Sequence, residues 1–230
     1  MHSDKKDLEK KGYKWVYDRF LSKLYDIGLK IGLTPPGERI LRETVFYSIS
    51  PFIVRGDRIL DLCCGTGTLT ILLSKLLYKD CEIHGVDLSD GQINQAKKKF
   101  NAPNLKFEAM NANFLKFEKE HFDKVIISAA LHEMEKEERL KVLSEIHRIL
   151  RKGGIFLILD HHEPSKIGQR IFYNFYLGFF EKMLSNSFEM QRNILMELIE
   201  SDFKIISQEP IKKFHDFFQI ILSKKIKLTS

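Results

Sequence analysis

Residues Arg58 to Leu76 read Arg-Ile-Leu-Asp-Leu-Cys-Cys-Gly-Thr-Gly-Thr-Leu-Thr-Ile-Leu-Leu-Ser-Lys-Leu, and three changes of character fall inside them. The apolar run Ile59 to Leu62 is short enough for a buried strand, a turn of small residues follows, and from Thr68 the apolar residues recur at helical spacing. Gly65 and Gly67 remove side chains where the backbone bends sharply and comes close to something. The N–H groups that open a helix point into the same space, so a nucleotide-like ligand suits this turn.

The next strand-like run, Glu82-Ile83-His84-Gly85-Val86-Asp87-Leu88-Ser89, brings an acid 20 positions after Gly67. In a strand-helix-strand unit that acid sits at the tip of the second strand, where a carboxylate can accept hydrogen bonds from both hydroxyls of a ribose. A dinucleotide and S-adenosylmethionine both carry one. A dinucleotide turn wants a third Gly or Ala so that its pyrophosphate can rest against the helix start, and Thr70 stands there instead. S-adenosylmethionine has no pyrophosphate, and the glycine spacing favours it.

At 230 residues with 43% apolar composition, the chain can bury one substantial core and does not need two domains. The expectation is a single domain over 1–230, with a helical cap over 1–50 and a sheet unit over 55–223 that carries a helical insertion near 164–190. The net charge of +6 is spread among acids rather than gathered in one block, which does not favour a nucleic-acid partner. Cys63 and Cys64 are neighbours in the turn and cannot usefully staple the chain, which points to a reducing, cytoplasmic setting. The first residues show no apolar signal region, and no run of about 18 apolar residues suggests a membrane span.

From Leu8 to Leu33 apolar residues recur at helical spacing, Thr34-Pro35-Pro36-Gly37 breaks the chain, and a second helix runs to about Ser50. Strands over 58–62, 82–87, 106–110, 122–128 and 155–160 then interleave with helices over 68–78, 90–100 and 136–150. That alternation predicts an α/β fold with a mostly parallel sheet, helices on both faces. Gly153-Gly154 is read as the stop of the third of these helices. After an aromatic-rich stretch from Glu163 to Leu184 come a helix over 192–200 and two strands, 203–207 and 216–223.

Four segments in register resemble the class I S-adenosylmethionine-dependent methyltransferases, and within them the ubiquinone/menaquinone C-methyltransferase branch. They are Asp61-Leu-Cys-Cys-Gly-Thr-Gly-Thr68, Gly85-Val-Asp-Leu-Ser89, Phe122-Asp-Lys-Val-Ile-Ile-Ser128 and Leu150-Arg-Lys-Gly-Gly-Ile-Phe-Leu-Ile-Leu-Asp160. The resemblance runs from about Tyr17 to the C-terminus. It implies a Rossmann-like seven-stranded sheet with an antiparallel last strand, and S-adenosylmethionine as cofactor. It also implies that Tyr17 and Tyr25 in the cap lie near the cofactor, that Asn111 and Ala112 meet the adenine, and that Ser128 and Ala129 touch its methionine part. The family usually has an acid where Asn111 stands, and often a Gly where Cys63 stands.

Asp61, at the carboxyl end of the first strand, can orient the turn of Cys63, Gly65, Thr66 and Gly67 or reach the ligand's amino group. Asp87 is expected to hold the ribose, and Leu88 to lie against the adenine. His132 and His161 each follow a strand's carboxyl end, on the face where the reactive methyl points. Either could remove a proton from a hydroxyl or an acidic carbon, or could only cap and pack locally. No metal site is expected, since His132 with His161-His162-Glu163 lacks a ligand framework.

After the fourth strand the chain has Ser-Ala-Ala-Leu, not the Asn/Asp-Pro-Pro-aromatic of methyltransferases that act on nucleobase or glutamine amides, so N-methylation of a base is disfavoured. The stretch Ile171 to Leu184 is apolar nearly all round when drawn as a helix. An apolar substrate pocket, a homodimer contact, a shallow membrane-surface contact or simple burial under the cap could each use that surplus. The expected function is therefore methyl transfer to a small apolar or aromatic acceptor, quinone-like or lipid-like. The alternatives are a nicotinamide-dependent oxidoreductase and a non-catalytic adenosyl-ligand or nucleic-acid-binding protein.

Overall fold

Runs such as Val125-Ile126-Ile127 and Phe156 to Leu159 are apolar on both strand faces, so they are stable only in a sheet covered on both sides. The computed structural model describes residues 35–171, 187–214 and 216–226, and in them the chain meets that demand. The expected first cap helix, with Tyr17 and Tyr25, and residues 172–186 of the aromatic stretch lie outside the described residues. Helix α1 (Pro35–Ile49) begins at a proline pair, then come β1 (Arg58–Leu62), α2 (Thr68–Leu76), β2 (Glu82–Asp87), α3 (Asp90–Lys99), β3 (Leu105–Ala109) and β4 (Phe122–Ser128). Helix α4 (Lys136–Ile149), β5 (Leu150–His161), α5 (Ser187–Glu200), β6 (Phe203–Pro210) and β7 (Phe218–Lys225) complete the order.

The seven strands lie in the order β3-β2-β1-β4-β5-β7-β6. Only β7 runs against the others, paired antiparallel to both β5 and β6, as expected for the last strand. Strand periodicity divides the core in two. Ile59, Ile83, Ile126, Leu157 and Leu159 meet Val45, Ile49, Leu69, Leu73 and Ile93 of α1, α2 and α3 on one face. Leu60, Val86, Val125, Ile127 and Ile158 meet Val142 and Ile146 of α4 and Met190, Ile194 and Leu198 of α5 on the other. No helix among the described residues is long and apolar enough to cross a membrane.

The fold departs from expectation around Gly153-Gly154. Helix α4 stops at Ile149, and the chain is already strand at Leu150. Gly153 does take a left-handed φ of 71°, but it does so inside β5, where the register against β4 shifts between Phe122 and Lys124. The helix ends instead where the buried Lys225 ammonium donates to the carbonyls of His147 and Leu150, each at 2.7 Å. Helix α5 also starts at Ser187, earlier than the expected Arg192.

Helices α4 and α5 are joined by a buried ion network. Arg139, with no exposed surface, donates from Nε and Nη2 to the two carboxylate oxygens of Glu197 at 2.9 and 2.7 Å. Nη2 also reaches Glu189, and Nη1 donates to the Met134 carbonyl at 2.7 Å. Buried ion networks rarely stabilise more than apolar residues of equal shape, but losing one partner leaves a stranded charge. Arg139→Met is therefore expected to cost about 3–5 kcal/mol in urea denaturation, and Arg139→Met combined with Glu197→Leu to recover most of that loss.

Candidate active site

Strand β1 has β2 on one side and β4 on the other, so the direction of winding reverses there and a crevice opens beyond the carboxyl ends of the strands. The turn from β1 into α2 forms its floor. Cys63, Gly65 and Gly67 all take positive φ, at 60°, 56° and 72°. The two glycines do different work. A Cβ on Gly65 would meet nothing within 4 Å, so the open side of the turn is there. A Cβ on Gly67 would lie 2.6 Å from the Phe107 ring and 2.9 Å from Ala96, so this glycine serves packing beneath the turn.

Asp87, at the end of β2, tethers the turn. Its Oδ2 accepts the Gly65 amide at 2.9 Å and its Oδ1 accepts the Ser89 amide at 2.9 Å. A carboxylate can accept about four hydrogen bonds, so these two are compatible with ligand hydroxyls. A cavity at this edge is lined by Asp87, Leu88, Cys63, Asn111 and Ala112, together with Met110, Asn113, Met134 and Glu138. Asn111 is exposed, and its Oδ1 accepts the amide of Asn113 at 2.9 Å.

Asp61 is fully buried. Its Oδ2 accepts the Thr70 hydroxyl at 2.6 Å, while Oδ1 is buried with no hydrogen-bond partner among the described residues. Burial pushes its carboxyl up to about 6, against the opposing pull of the Thr70 hydroxyl. Thr70, where a dinucleotide turn would have a third glycine, thus serves to aim Asp61. Burial also pushes the Cys63 thiol well up, and the carboxylates of Asp87, Glu133, Asp61 and Glu138 add to the shift. A thiol held this far up is no reactive thiolate, and the Lys99 ammonium on the Thr66 hydroxyl and Arg42 near Asp61 bring positive charge to the same turn.

Beyond β4 and β5 lies a second cluster. Ala129 takes φ 52° and donates its amide to the Leu159 carbonyl at 2.8 Å, which sets Ser128 and Ala129 at the crevice edge. The 3-10 turn Leu131–Glu133 then brings His132 against Asp160, the last residue but one of β5. His132 Nδ1 lies 2.7 Å from Asp160 Oδ1, which also accepts the His161 amide at 2.8 Å, and Oδ2 accepts the Leu131 amide at 3.0 Å. A carboxylate can only accept, so Nδ1 carries the proton and Nε2 is the basic nitrogen. Burial disfavours the ionised Asp160, but the charge and hydrogen bond of His132, with help from His161, hold it below the usual carboxylate range.

The rings of His132 and His161 meet edge to face, 4.5 Å apart. Sequence reasoning named both histidines but missed the carboxylate that unites them, although Asp160 ended a quoted segment. Ligand atoms of His132, Asp160 and His161 all lie within 4.8 Å of one another, the spread of a small metal site. Here the carboxylate is engaged by three protein donors and arranged to orient an imidazole. His162 turns away and donates from Nδ1 to the Asp216 carbonyl at 2.9 Å.

Residues 59–154, which hold the turn, the Asp87 strand and the start of β5, match the family described as methyltransferase domain. The chain carries a methyltransferase domain. An uncharacterized methyltransferase of Synechocystis is 35% identical over 66% of this chain and 66% of its own length. A demethylmenaquinone methyltransferase of Geobacillus stearothermophilus is 33% identical over 60% and 61%. The chain thus covers just under two thirds of the length of these relatives. Among solved structures, magnesium protoporphyrin IX methyltransferase of Synechocystis with bound S-adenosylhomocysteine superposes with a TM-score of 0.73 at 14% identity, covering 94% of this chain and 99% of that one. At that identity it speaks for the fold of the methyltransferase domain.

The left-handed backbone at Cys63 explains why glycine suits this position of the domain. Cys63→Gly relieves strain while loosening the unfolded chain, and should leave stability within about 1 kcal/mol of the parent. Cys63→Val puts a β-branched residue at positive φ and should cost roughly 1–3 kcal/mol. Urea denaturation of the two variants checks the difference, and equal losses in both would show that φ is not the constraint.

Proposed function

We propose that the chain transfers the methyl group of S-adenosylmethionine to a small acceptor that gives up a proton. The observation that carries this is the pair of aspartates around an open glycine turn, Asp61 with an orphaned buried oxygen and Asp87 at the strand tip. Asp87 would hold the ribose hydroxyls, and Asp61 Oδ1 would accept from the ammonium group. Leu88, Asn111 and Ala112 would bound the adenine, Ser128 and Ala129 the methionine part, and Gly65, Thr66 and Gly67 would form the floor. Tyr17 and Tyr25 complete this set as expectations from the family. Bound there, the cofactor supplies an electrophilic methyl on a sulfonium. Thr70, where a dinucleotide turn wants a third small residue, disfavours the oxidoreductase alternative.

On the acceptor side, His132 is the group that takes the proton, with Nδ1 anchored on Asp160 and His161 packed against its ring. The residues otherwise act by alignment and by excluding water. A quinol-like acceptor is supported by the name of the Geobacillus relative and by the apolar character of Ile171 to Leu184.

Two measurements test this reading. Calorimetry with S-adenosylhomocysteine should show the affinity of Asp87→Ala reduced by roughly 100-fold or more, because ribose hydroxyls lose a charged acceptor. Unchanged binding would remove the basis of the proposal. Labelled-methyl transfer into separated soluble and lipid fractions of a cell extract identifies the acceptor. With that acceptor, His132→Ala should slow single-turnover transfer by about 10²–10⁴ with cofactor affinity kept. Unaltered rates in both His132→Ala and His161→Ala would exclude a protein base.

A further inference from the structure

We propose that Gln219, near the start of β7, is a positioning residue that holds Asp160 and His132 in their working geometry through the main chain of His161. The inference rests on the reading of His132 as the group that takes the acceptor's proton. It extends that machinery to a strand the reading does not use.

Strand β7 pairs antiparallel with β5, and Gln219 stands directly opposite Asp160. Residues so opposed put their side chains on the same face of the sheet. Ile221, two positions on and facing the same way, is fully buried in the apolar core, and Gln219 itself keeps only 1% of its surface exposed. An amide sunk beside such a core costs stability unless both of its ends are hydrogen-bonded. Both ends are satisfied here. Nε2 donates to the His161 carbonyl at 3.0 Å, and Oε1 accepts from Nε2 of the exposed Gln208 on β6 at 2.7 Å. A carbonyl can only accept, which fixes the nitrogen end toward His161 and the oxygen end toward Gln208.

The result is a clamp on one residue. The His161 amide donates to Asp160 Oδ1 at 2.8 Å, the same oxygen that lies 2.7 Å from His132 Nδ1. The His161 carbonyl is taken by Gln219, and its ring lies 4.5 Å from that of His132 and 5.0 Å from that of Phe218. With its carbonyl released, the His161 peptide can rotate and withdraw its amide from Asp160, and the carboxylate is then no longer fixed against His132. A leucine or methionine would fill this place without needing partners, so the amide is explained by what it holds rather than by packing.

Gln219→Met keeps the length of the side chain and removes the donor. Long-range proton–nitrogen NMR of the full chain reads which ring nitrogen carries the proton, with the His132 signals identified by their loss in His132→Ala. With the rings neutral, the parent should hold the proton on Nδ1 of His132 in preference to Nε2 by about tenfold or more, because Asp160 accepts it. Gln219→Met should narrow that preference to roughly threefold or less. It should also slow single-turnover transfer from labelled S-adenosylmethionine into a cell extract by about tenfold, with affinity for S-adenosylhomocysteine kept. Gln208→Met, at an exposed position, frees the Gln219 amide to turn over and should narrow the same preference even if Gln219→Met folds poorly. Ile221→Val, a small cavity on the same face, should leave both tautomer and rate as in the parent. In a His132→Ala background Gln219→Met should slow transfer by less than about twofold, since it acts through His132. An unchanged proton ratio in the two glutamine variants, or an equal slowing with and without His132, overturns the assignment. A parent that holds the proton on Nε2 instead removes the reading of His132 beneath it.

Discussion

Asp87 accepts the Gly65 amide, and next to it the Cys64 amide reaches the Val86 carbonyl at 3.0 Å, so the turn after β1 is held by the neighbouring strand rather than by itself. This tether explains how three residues with positive φ can persist side by side with a helix start. A parallel sheet brings the tips of β1 and β2 to one edge, and only there can a carboxylate of one strand hold the turn of the other. The group that shapes the floor thus also lines the crevice. Altering Asp87 must act on both at once.

Two buried aspartates on the same sheet edge show how partners decide ionisation. Asp61 has one oxygen without a donor, and burial pushes its carboxyl up to about 6. Asp160 is as deeply buried, yet its two oxygens take two amides and an imidazole, and it is held low. The first keeps one oxygen open to a donor, the second has both oxygens engaged by donors within the protein. On the proposed reading the cofactor lies on the β1 and β2 side and proton handling on the β4 and β5 side.

Much of this was legible in the residues. Apolar runs such as Ile59 to Leu62 announce strands whatever their neighbours, and the spacing from Gly67 places Asp87 at the tip of the second strand, where it lies. The stop assigned to Gly153-Gly154 failed because two glycines permit a positive φ without saying which element contains it, and the Lys225 ammonium that closes α4 comes from the far end of the chain. Asp160 and Gln219 went unremarked for a related reason. Their meaning lies in His132, 28 positions before Asp160, and in His161, 58 positions before Gln219, distances that no local pattern encodes. Gly67 was read as making room for a ligand, whereas the space it leaves is filled by Phe107.

The guanidinium of Arg139 ties α5 to the Met134 carbonyl, and Met134 both closes the turn that carries His132 and lines the crevice. A rigid fork with three acceptors transmits displacement instead of absorbing it. Arg139 thereby links the position of α5 to the turn of His132 and to the cleft wall. Residues along α5 that never meet the crevice are thus joined to its wall through a single guanidinium.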